Sequence, residues 1–306
     1  MNHLALSVVI PSKDRPLMVR HAVQTALTQL HDGDEVIVVD DGSTSPIEDS
    51  LNSGLGAGAS NVKVLRHATP QRSAAARNTG VAAASNDMIV FLDDDDAFAP
   101  GYLDRLRNHW STAEAADYGC CARPDKADGR NAFDPLPDPP DTSSLFPLSL
   151  GVWVRKDVFN RIGRLKPALT TNQDTEFAIN LARSPARGVR FSGQGVVVDA
   201  GDAVIDRQAQ AQAINITKSA KALSRAECFD LILIYHDDFF QTSDGAALQR
   251  FCIRRALELR AKGGAAFDLP EPVKHRLSRT DIAKWQTYHG LQLVLRRLTR
   301  KKGASQ

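Results

Sequence analysis

The chain has 306 residues, 42% of them hydrophobic and 24% charged, with a formal net charge of +2. This is the composition of an ordinary folded protein, long enough for one large α/β domain with an appendage or for two domains. So balanced a charge leaves no electrostatic footprint for nucleic acid, and no nucleic-acid partner is expected.

The elements alternate from the start. Ser7 to Ile10 is an apolar run stopped by Pro11 and reads as a buried strand. Val19, Val23, Ala26, Leu27 and Leu30 then share one helical face. Val36 to Val39 is apolar at every position, as a strand buried on both faces of a parallel sheet is, and it runs into Asp40-Asp41-Gly42-Ser43. Gly54-Leu55-Gly56-Ala57-Gly58 precedes a strand instead of following one, so it reads as a connector and not as a phosphate loop. Val62 to Leu65 is a third strand, Ser73 to Ala84 an Ala-rich helix, and Met88 to Leu92 a fourth strand that ends at Asp93-Asp94-Asp95-Asp96. A helix follows from Tyr102, with Leu103, Leu106 and Trp110 on its face.

Residues 124–147, rich in Pro and Asp, read as a loop over a site. Val152 to Ile162 reads as a strand or short helix. Asp174 to Arg183 reads as a helix capped by Thr171 or Asn172, with Phe177 and Leu181 buried. Val196 to Val198 is a late strand, and helical patterning runs from Ala209 to the end. Strands alternating with helices predict a Rossmann-like, mostly parallel central sheet flanked by helices. The predicted boundaries are a main domain at 1–205 and a helical extension at 206–306. Near its end Leu291, Leu295 and Leu298 form an apolar stripe beside Arg296, Arg297, Arg300, Lys301 and Lys302, a candidate for peripheral membrane contact or for packing on the domain. Four cysteines without zinc-ligand spacing read as reduced thiols, and the N-terminus lacks a signal-peptide pattern, so a soluble, cytoplasmic protein is expected.

Ligands of open α/β sheets bind at the carboxyl ends of the strands, and three polar clusters fall there: Ser12-Lys13-Asp14, Asp40-Asp41 and the acidic run from Asp93. Four adjacent carboxylates at a buried strand end repel one another and call for a cation; Mg²⁺ or Mn²⁺ suits their oxygens, the alternative being a solvated acidic turn. Asp40-Asp41 can accept from a nucleobase N–H or can shape a turn. Arg72 and Arg77, at the start of the Ala-rich helix, can meet phosphate oxygens or can be surface arginines. Asp174 and Glu176 can supply a general base or can form the acidic first turn of a helix.

The ordered set Ser7-Val8-Val9-Ile10-Pro11-Ser12-Lys13-Asp14-Arg15-Pro16, Val38-Val39-Asp40-Asp41-Gly42-Ser43-Thr44, Ala76-Arg77-Asn78-Thr79-Gly80 and Phe91-Leu92-Asp93-Asp94-Asp95-Asp96 resembles glycosyltransferase family 2, with its GT-A fold. The resemblance covers residues 5–200 and not the helical tail. It implies inverting transfer of a sugar from a nucleotide-diphosphate donor, a UDP-sugar, to a hydroxyl of a glycan or lipid-linked acceptor in cell-surface glycan synthesis. Under it, Asp40 or Asp41 contacts the base, and Pro11, Ser12 and Lys13 line the same pocket. Asp93 and Asp95 form the Asp-X-Asp element, with Asp95 the metal ligand and Asp94 near the donor sugar or ribose. Arg72 and Arg77 face the diphosphate, and Asp174 is the base. Gln173 stands where relatives carry Glu, and Val204-Ile205-Asp206-Arg207-Gln208 stands in place of a Tyr-Arg-X-His element. The Gln-X-X-Arg-Trp element of processive synthases is absent, which implies addition of one sugar. The rival readings are a haloacid dehalogenase-like phosphatase, whose motif Ala97 breaks, and a non-catalytic nucleotide-sugar binding module.

Overall fold

Leu6–Ser12 forms the central strand β1, buried at every position. In this computed structural model, which describes residues 4–55, 60–112, 115–198, 200 and 222–303, β1 runs through Pro11 instead of stopping there. The reason is the side on which the missing N–H falls. The Val9 carbonyl accepts from the Leu92 N–H, so Val9 and, two residues on, Pro11 face β4 (Met88–Phe91). Pairing with β4 ends at Val9, and Pro11 removes no ladder bond.

On its other side β1 pairs in parallel with β2 (Glu35–Asp40), and β2 pairs in parallel with β3 (Val62–Arg66). Three helices make the connections: α1 (Pro16–Leu27), α2 (Ile47–Leu55) and α3 (Arg72–Ala83). Proline at the first turn of α1 suits a position whose N–H has no intrahelical partner. Met18, Val19, Ala22, Val23 and Ala26 are the buried face of α1. The sequence reading had no helix at α2, which is anchored by Ile47 and Leu51, both buried, and by the half-buried Leu55. The Gly54–Gly58 stretch divides at its end: Gly54 and Leu55 close α2, and residues 56–58 lie outside the described residues. In α3 a Cβ at Gly80 would stand 2.4 Å from a methyl of Val9, so the small residues of this helix permit a close approach to β1.

Beyond β4 the sheet becomes mixed. Its eight strands run β3-β2-β1-β4-β8-β6-β9-β7, with β6 at Tyr118–Cys121, β7 at Phe133–Pro135, β8 at Trp153–Arg155 and β9 at Gly188–Phe191. Strand β7 corrects the expectation that residues 124–147 hold no regular structure. It pairs antiparallel with β9 at the sheet edge, where Pro135 is tolerated, and short 3-10 turns at Pro124–Lys126 and Thr142–Ser144 flank it. The segment 152–162 is both strand and helix: β8 leads into α5 (Lys156–Arg161). The late strand β10 (Val196–Val197) pairs instead with β5 (Ala97–Phe98) in a separate antiparallel ribbon. Helix α4 (Tyr102–Trp110) buries Leu103, Leu106 and Trp110 as its periodicity predicts. Helix α6 is Gln173–Ala182, with Phe177 and Leu181 fully buried.

Two compact units emerge. The first comprises residues 1–136, 144–167 and 177–213 and holds the sheet; the second comprises 137–143, 168–176 and 214–306. The second contains α7 (Ala222–Tyr235), α8 (Asp237–Phe240), α9 (Ala246–Gly263), α10 (Glu271–Arg276) and α11 (Arg279–Gly303). Its core is built by α7 and α9, with Phe229, Ile232 and Leu233 against Leu248, Cys252, Ile253, Ala256 and Leu257 among its buried residues. The predicted boundary at 205 and the segment Val204 to Gln208 fall outside the described residues. On α11, Leu291, Val294 and Leu295 are about half exposed, at 55%, 52% and 47%. The expectation that the stripe packs on the protein therefore fails at Leu291 and Leu295, while the side chain of Leu298 lies outside the described residues. The four cysteines are free and buried, and among the described residues no helix is long and apolar enough to cross a membrane.

Candidate functional site

Strands β1, β2 and β4 are parallel neighbours, so the loops leaving their carboxyl ends lie side by side. These loops carry Ser12 to Arg15, Asp40 to Thr44 and Asp93 to Asp96.

The loop after β2 is held by its own aspartates. Asp40 Oδ1 accepts from the Ser43 N–H at 2.8 Å, and Oδ2 accepts from the Ile47 N–H at 3.3 Å and from the Arg66 guanidinium at 2.5 Å. Asp41 Oδ1 accepts from the Gln71 N–H at 2.8 Å and from His67 Nδ1 at 2.7 Å, and Oδ2 accepts from the Arg72 N–H at 2.7 Å. With Nδ1 donating, His67 Nε2 in the neutral ring accepts from the Thr79 hydroxyl, 3.0 Å away. Asp41 thereby caps the start of α3, where Arg72 takes a φ of +76°. All four oxygens of the pair accept from the chain itself, and both residues are buried. Gly42, at a φ of +69°, makes the turn between them and Ser43, and a Cβ there would meet Pro70 at 2.9 Å.

The loop after β1 is tied across to this one. The Asp14 N–H donates to Ser43 Oγ at 2.8 Å, and Asp14 Oδ1 accepts from the Thr44 N–H at 2.7 Å. Lys13 is exposed and pairs with Asp14 at 3.2 Å. Pro11 and Ser12 are buried.

In the acidic run Asp96 and Asp94 are both buried, and it is Asp94 that the loop after β1 holds. Its Oδ2 accepts from Ser12 Oγ at 2.6 Å and its Oδ1 from Arg15 Nη1 at 3.0 Å. The same nitrogen reaches Asp95 Oδ2 at 3.1 Å. Burial pushes the Asp94 carboxyl up to about 6, against the pull of the Arg15 charge and with a further push from Asp95. Arg77 is buried and pairs with Asp93. Arg72 meets the site through its backbone N–H on Asp41.

Asp93, Asp95 and Asp96 each offer a carboxylate oxygen, and those oxygens lie within 4.8 Å of one another. Three hard oxygens so close fit a Mg²⁺ or Mn²⁺ ion. Asp96 was not among the ligands expected from sequence. It is the last of four equivalent letters, and only the turn at β4's end, with the Asp96 N–H on the Asp93 carbonyl at 3.2 Å, brings it back beside Asp93. Arg15 was also missed as a site residue; its place in the motif after β1 was the available signal.

Asp174 belongs to the second unit. It is half-buried in the first turn of α6, and its Oδ1 accepts from the Thr175 N–H at 2.8 Å. Glu176 is fully buried and faces His236 at 3.6 Å.

Parallel strand ends that carry a capped Asp-Asp turn, a buried arginine and a cluster of carboxylates have the arrangement of the GT-A fold, which the structural likenesses below share. The chain belongs to glycosyl transferase family 2, whose model matches residues 7–175. It is 39% identical over 109 residues to the pre-mycofactocin glycosyltransferase of Mycobacterium tuberculosis, covering 36% of this chain and 22% of that protein. It is 26% identical over 193 residues to an uncharacterized glycosyltransferase of Haemophilus influenzae, covering 59% of this chain and 63% of the other. The chain thus matches less than two thirds of the length of these relatives. Among solved structures, S. aureus TarS with UDP-GlcNAc superposes with a TM-score of 0.62 at 15% identity, over 93% of this chain and 79% of that one. The mannosyltransferase PcManGT of Pyrobaculum calidifontis, with GDP-Man and Mn²⁺, gives 0.54 at 15% identity, over 96% and 86%.

The bonds of Asp41 generate a prediction. Asp41→Ala leaves two backbone N–H groups and His67 without their acceptor and should cost about 1–3 kcal/mol of stability in nucleotide-free protein. Urea unfolding reads this directly; an unchanged midpoint would mean that the carboxylate is not what holds α3.

Proposed function

We propose that the protein transfers a single sugar from a nucleotide-diphosphate donor, a UDP-sugar, to a hydroxyl of a glycan or lipid-linked acceptor in cell-surface glycan synthesis, inverting the anomeric carbon. The observation that carries the reading is the cradle of Asp93, Asp95 and Asp96 at the end of β4 in a family 2 chain. The nucleotide-sugar complexes of TarS and PcManGT support the donor class, and the Mn²⁺ of PcManGT supports the metal. Family membership removes the phosphatase alternative.

Asp95 would hold a Mg²⁺ or Mn²⁺ ion together with Asp93 and Asp96. When bound, the ion neutralises charge on the diphosphate and makes it a better leaving group. Asp94, buried and anchored by Ser12 and Arg15, fixes the backbone of the run and lies toward the donor sugar or ribose. Asp40 and Asp41 shape the base pocket through the loops they tie, with Pro11, Ser12 and Lys13 along it. Arg72 and Arg77 face the diphosphate, Arg77 from its pairing with Asp93. Asp174 accepts the proton of the attacking hydroxyl, the acceptor oxygen bonds to the anomeric carbon, and the nucleoside diphosphate departs.

We assign the exposed stripe of α11 to an anionic membrane surface at the cytoplasmic face. Lys284 also lies on the exposed side of this helix, and Arg297, Arg300, Lys301 and Lys302 follow in sequence. A protein resting there meets lipid-linked acceptors.

Three measurements follow. Calorimetry with UDP should show binding that needs Mn²⁺ and is lost in EDTA and in Asp95→Ala, whose metal-free melting temperature stays level because Arg15 keeps Asp94; equal affinity in EDTA removes the metal role. Asp174→Asn should lower turnover by about 10²–10⁴-fold with donor affinity nearly unchanged. Near-normal turnover, with Glu176→Gln inactive, would transfer the role to Glu176, and donor binding without any transfer by the wild type would mark a non-catalytic module. Finally, the protein should pellet with anionic vesicles at low salt and release as ionic strength rises, with Leu291→Glu/Leu295→Glu staying in the supernatant; absence of low-salt binding by the wild type ends that assignment.

A further inference from the structure

Arg15 is the link between the two halves of the acidic run. It ends the loop after β1, immediately before Pro16 opens α1, and makes no side-chain cap to that helix. Its guanidinium turns instead to the neighbouring strand end. One nitrogen, Nη1, donates to the buried Asp94 at 3.0 Å and to Asp95 at 3.1 Å. Asp95 is one of the three carboxylates that can hold a cation; Asp94 is not. The Arg15 side chain is 19% exposed, so its charge acts at short range with weak solvent screening.

We propose that Arg15 is a resident counter-cation of this site: it holds Asp94 and Asp95 together in the metal-free protein and competes with the divalent ion for Asp95. The inference rests on the reading of Asp93, Asp95 and Asp96 as the cation cradle. Four carboxylates in sequence need positive charge in both states of the protein. Without metal, the guanidiniums of Arg15 and Arg77 supply it. A divalent ion at Asp95 brings two further charges next to one already there, and like charges at this range repel. Arg15 therefore weakens metal binding while it stabilises the metal-free fold. Affinity set in this way keeps the ion exchangeable and lets the charged donor add the remaining attraction. Arg15 is a positioning residue here, since its contacts are with Asp94 and Asp95.

The test is Mn²⁺ binding by the nucleotide-free protein, read by electron paramagnetic resonance, together with its melting temperature in EDTA and in Mn²⁺. Arg15→Gln keeps a donor for Asp94 and removes the charge; Arg15→Lys keeps the charge without the fork. Arg15→Gln should bind Mn²⁺ about tenfold more tightly, the equivalent of about 1.4 kcal/mol. It should also melt lower than wild type in EDTA and gain more than wild type from saturating Mn²⁺. Arg15→Lys should bind Mn²⁺ nearly as wild type does. Unchanged or weaker Mn²⁺ binding by Arg15→Gln, with wild type binding normally, overturns the inference and leaves the cradle standing. No Mn²⁺ binding by wild type or either variant overturns both. If Arg15→Gln does not fold, Arg15→Lys decides: tighter binding by the lysine protein, whose charge is unchanged, would show that charge competition is not the cause.

Discussion

Negative charge gathered at one strand end is the constraint around which the rest of the site is arranged. In the order β3-β2-β1-β4, the chain builds outward from β1 and then returns to add β4 on the other side. The connections reverse between β1 and β4, and a crevice opens there at the carboxyl ends of the strands. The chain puts four carboxylates into it, two of them, Asp94 and Asp96, buried. A buried carboxylate without a partner costs several kcal/mol. Asp94 has two, Ser12 at the end of β1 and Arg15 in the loop that follows it. The polar exit of β1 is thus explained by what β4 carries: without Asp94, the buried Ser12 at the end of the strand would have no such acceptor.

The second pair of aspartates solves a different problem. The start of α3 presents N–H groups that no turn of the helix can satisfy. Asp41 takes two of them, and His67 braces its carboxylate from β3's end against Thr79 of the same helix. The brace fixes α3 at its N-terminal turn, and Gly80 lets the middle of the helix lie against β1. Arg77 lies between these two anchors, and its guanidinium arrives at Asp93 from a helix held at both places. The Asp-Gly-Ser turn, the Ala-rich helix and the acidic run are therefore one mechanical unit, although more than fifty residues separate Asp40 from Asp96 in the chain.

What could be read from sequence follows from the range of each signal. The strands β1 to β4 were legible because continuous apolar runs ending in polar clusters are local patterns. The crevice was legible because the clusters repeat at strand ends. Helix α2 was not, although Ile47, Leu51 and Leu55 stand four residues apart, because Ser50, Asn52, Ser53 and Gly54 between them are weak helix formers. Strand β7 was hidden by Pro135, whose tolerance depends on being at an edge, a property of the whole sheet. The mixed half of the sheet, and the ribbon of β5 and β10, pair residues far apart in sequence, which no window shows. Within the site, residue types were legible and partners were not. Asp40 and Asp41 read first as base contacts and alternatively as turn formers, and only their bonds to Ser43, Ile47, Gln71 and Arg72 show that they also form the turn.

The helices beyond the family segment have a physical connection to the residues that open α6. Residues 168–176 cluster with the C-terminal helices and not with the sheet. Thr171 reaches Cys228 of α7 at 3.5 Å, and Glu176 faces His236, at the junction of α7 and α8, with both side chains 1% exposed. Helical geometry turns residues two apart about 200° from each other. A Glu176 committed to His236 thus leaves Asp174, in the same turn, on a different side of the helix. The tail is on this account part of what orients the turn that carries Asp174.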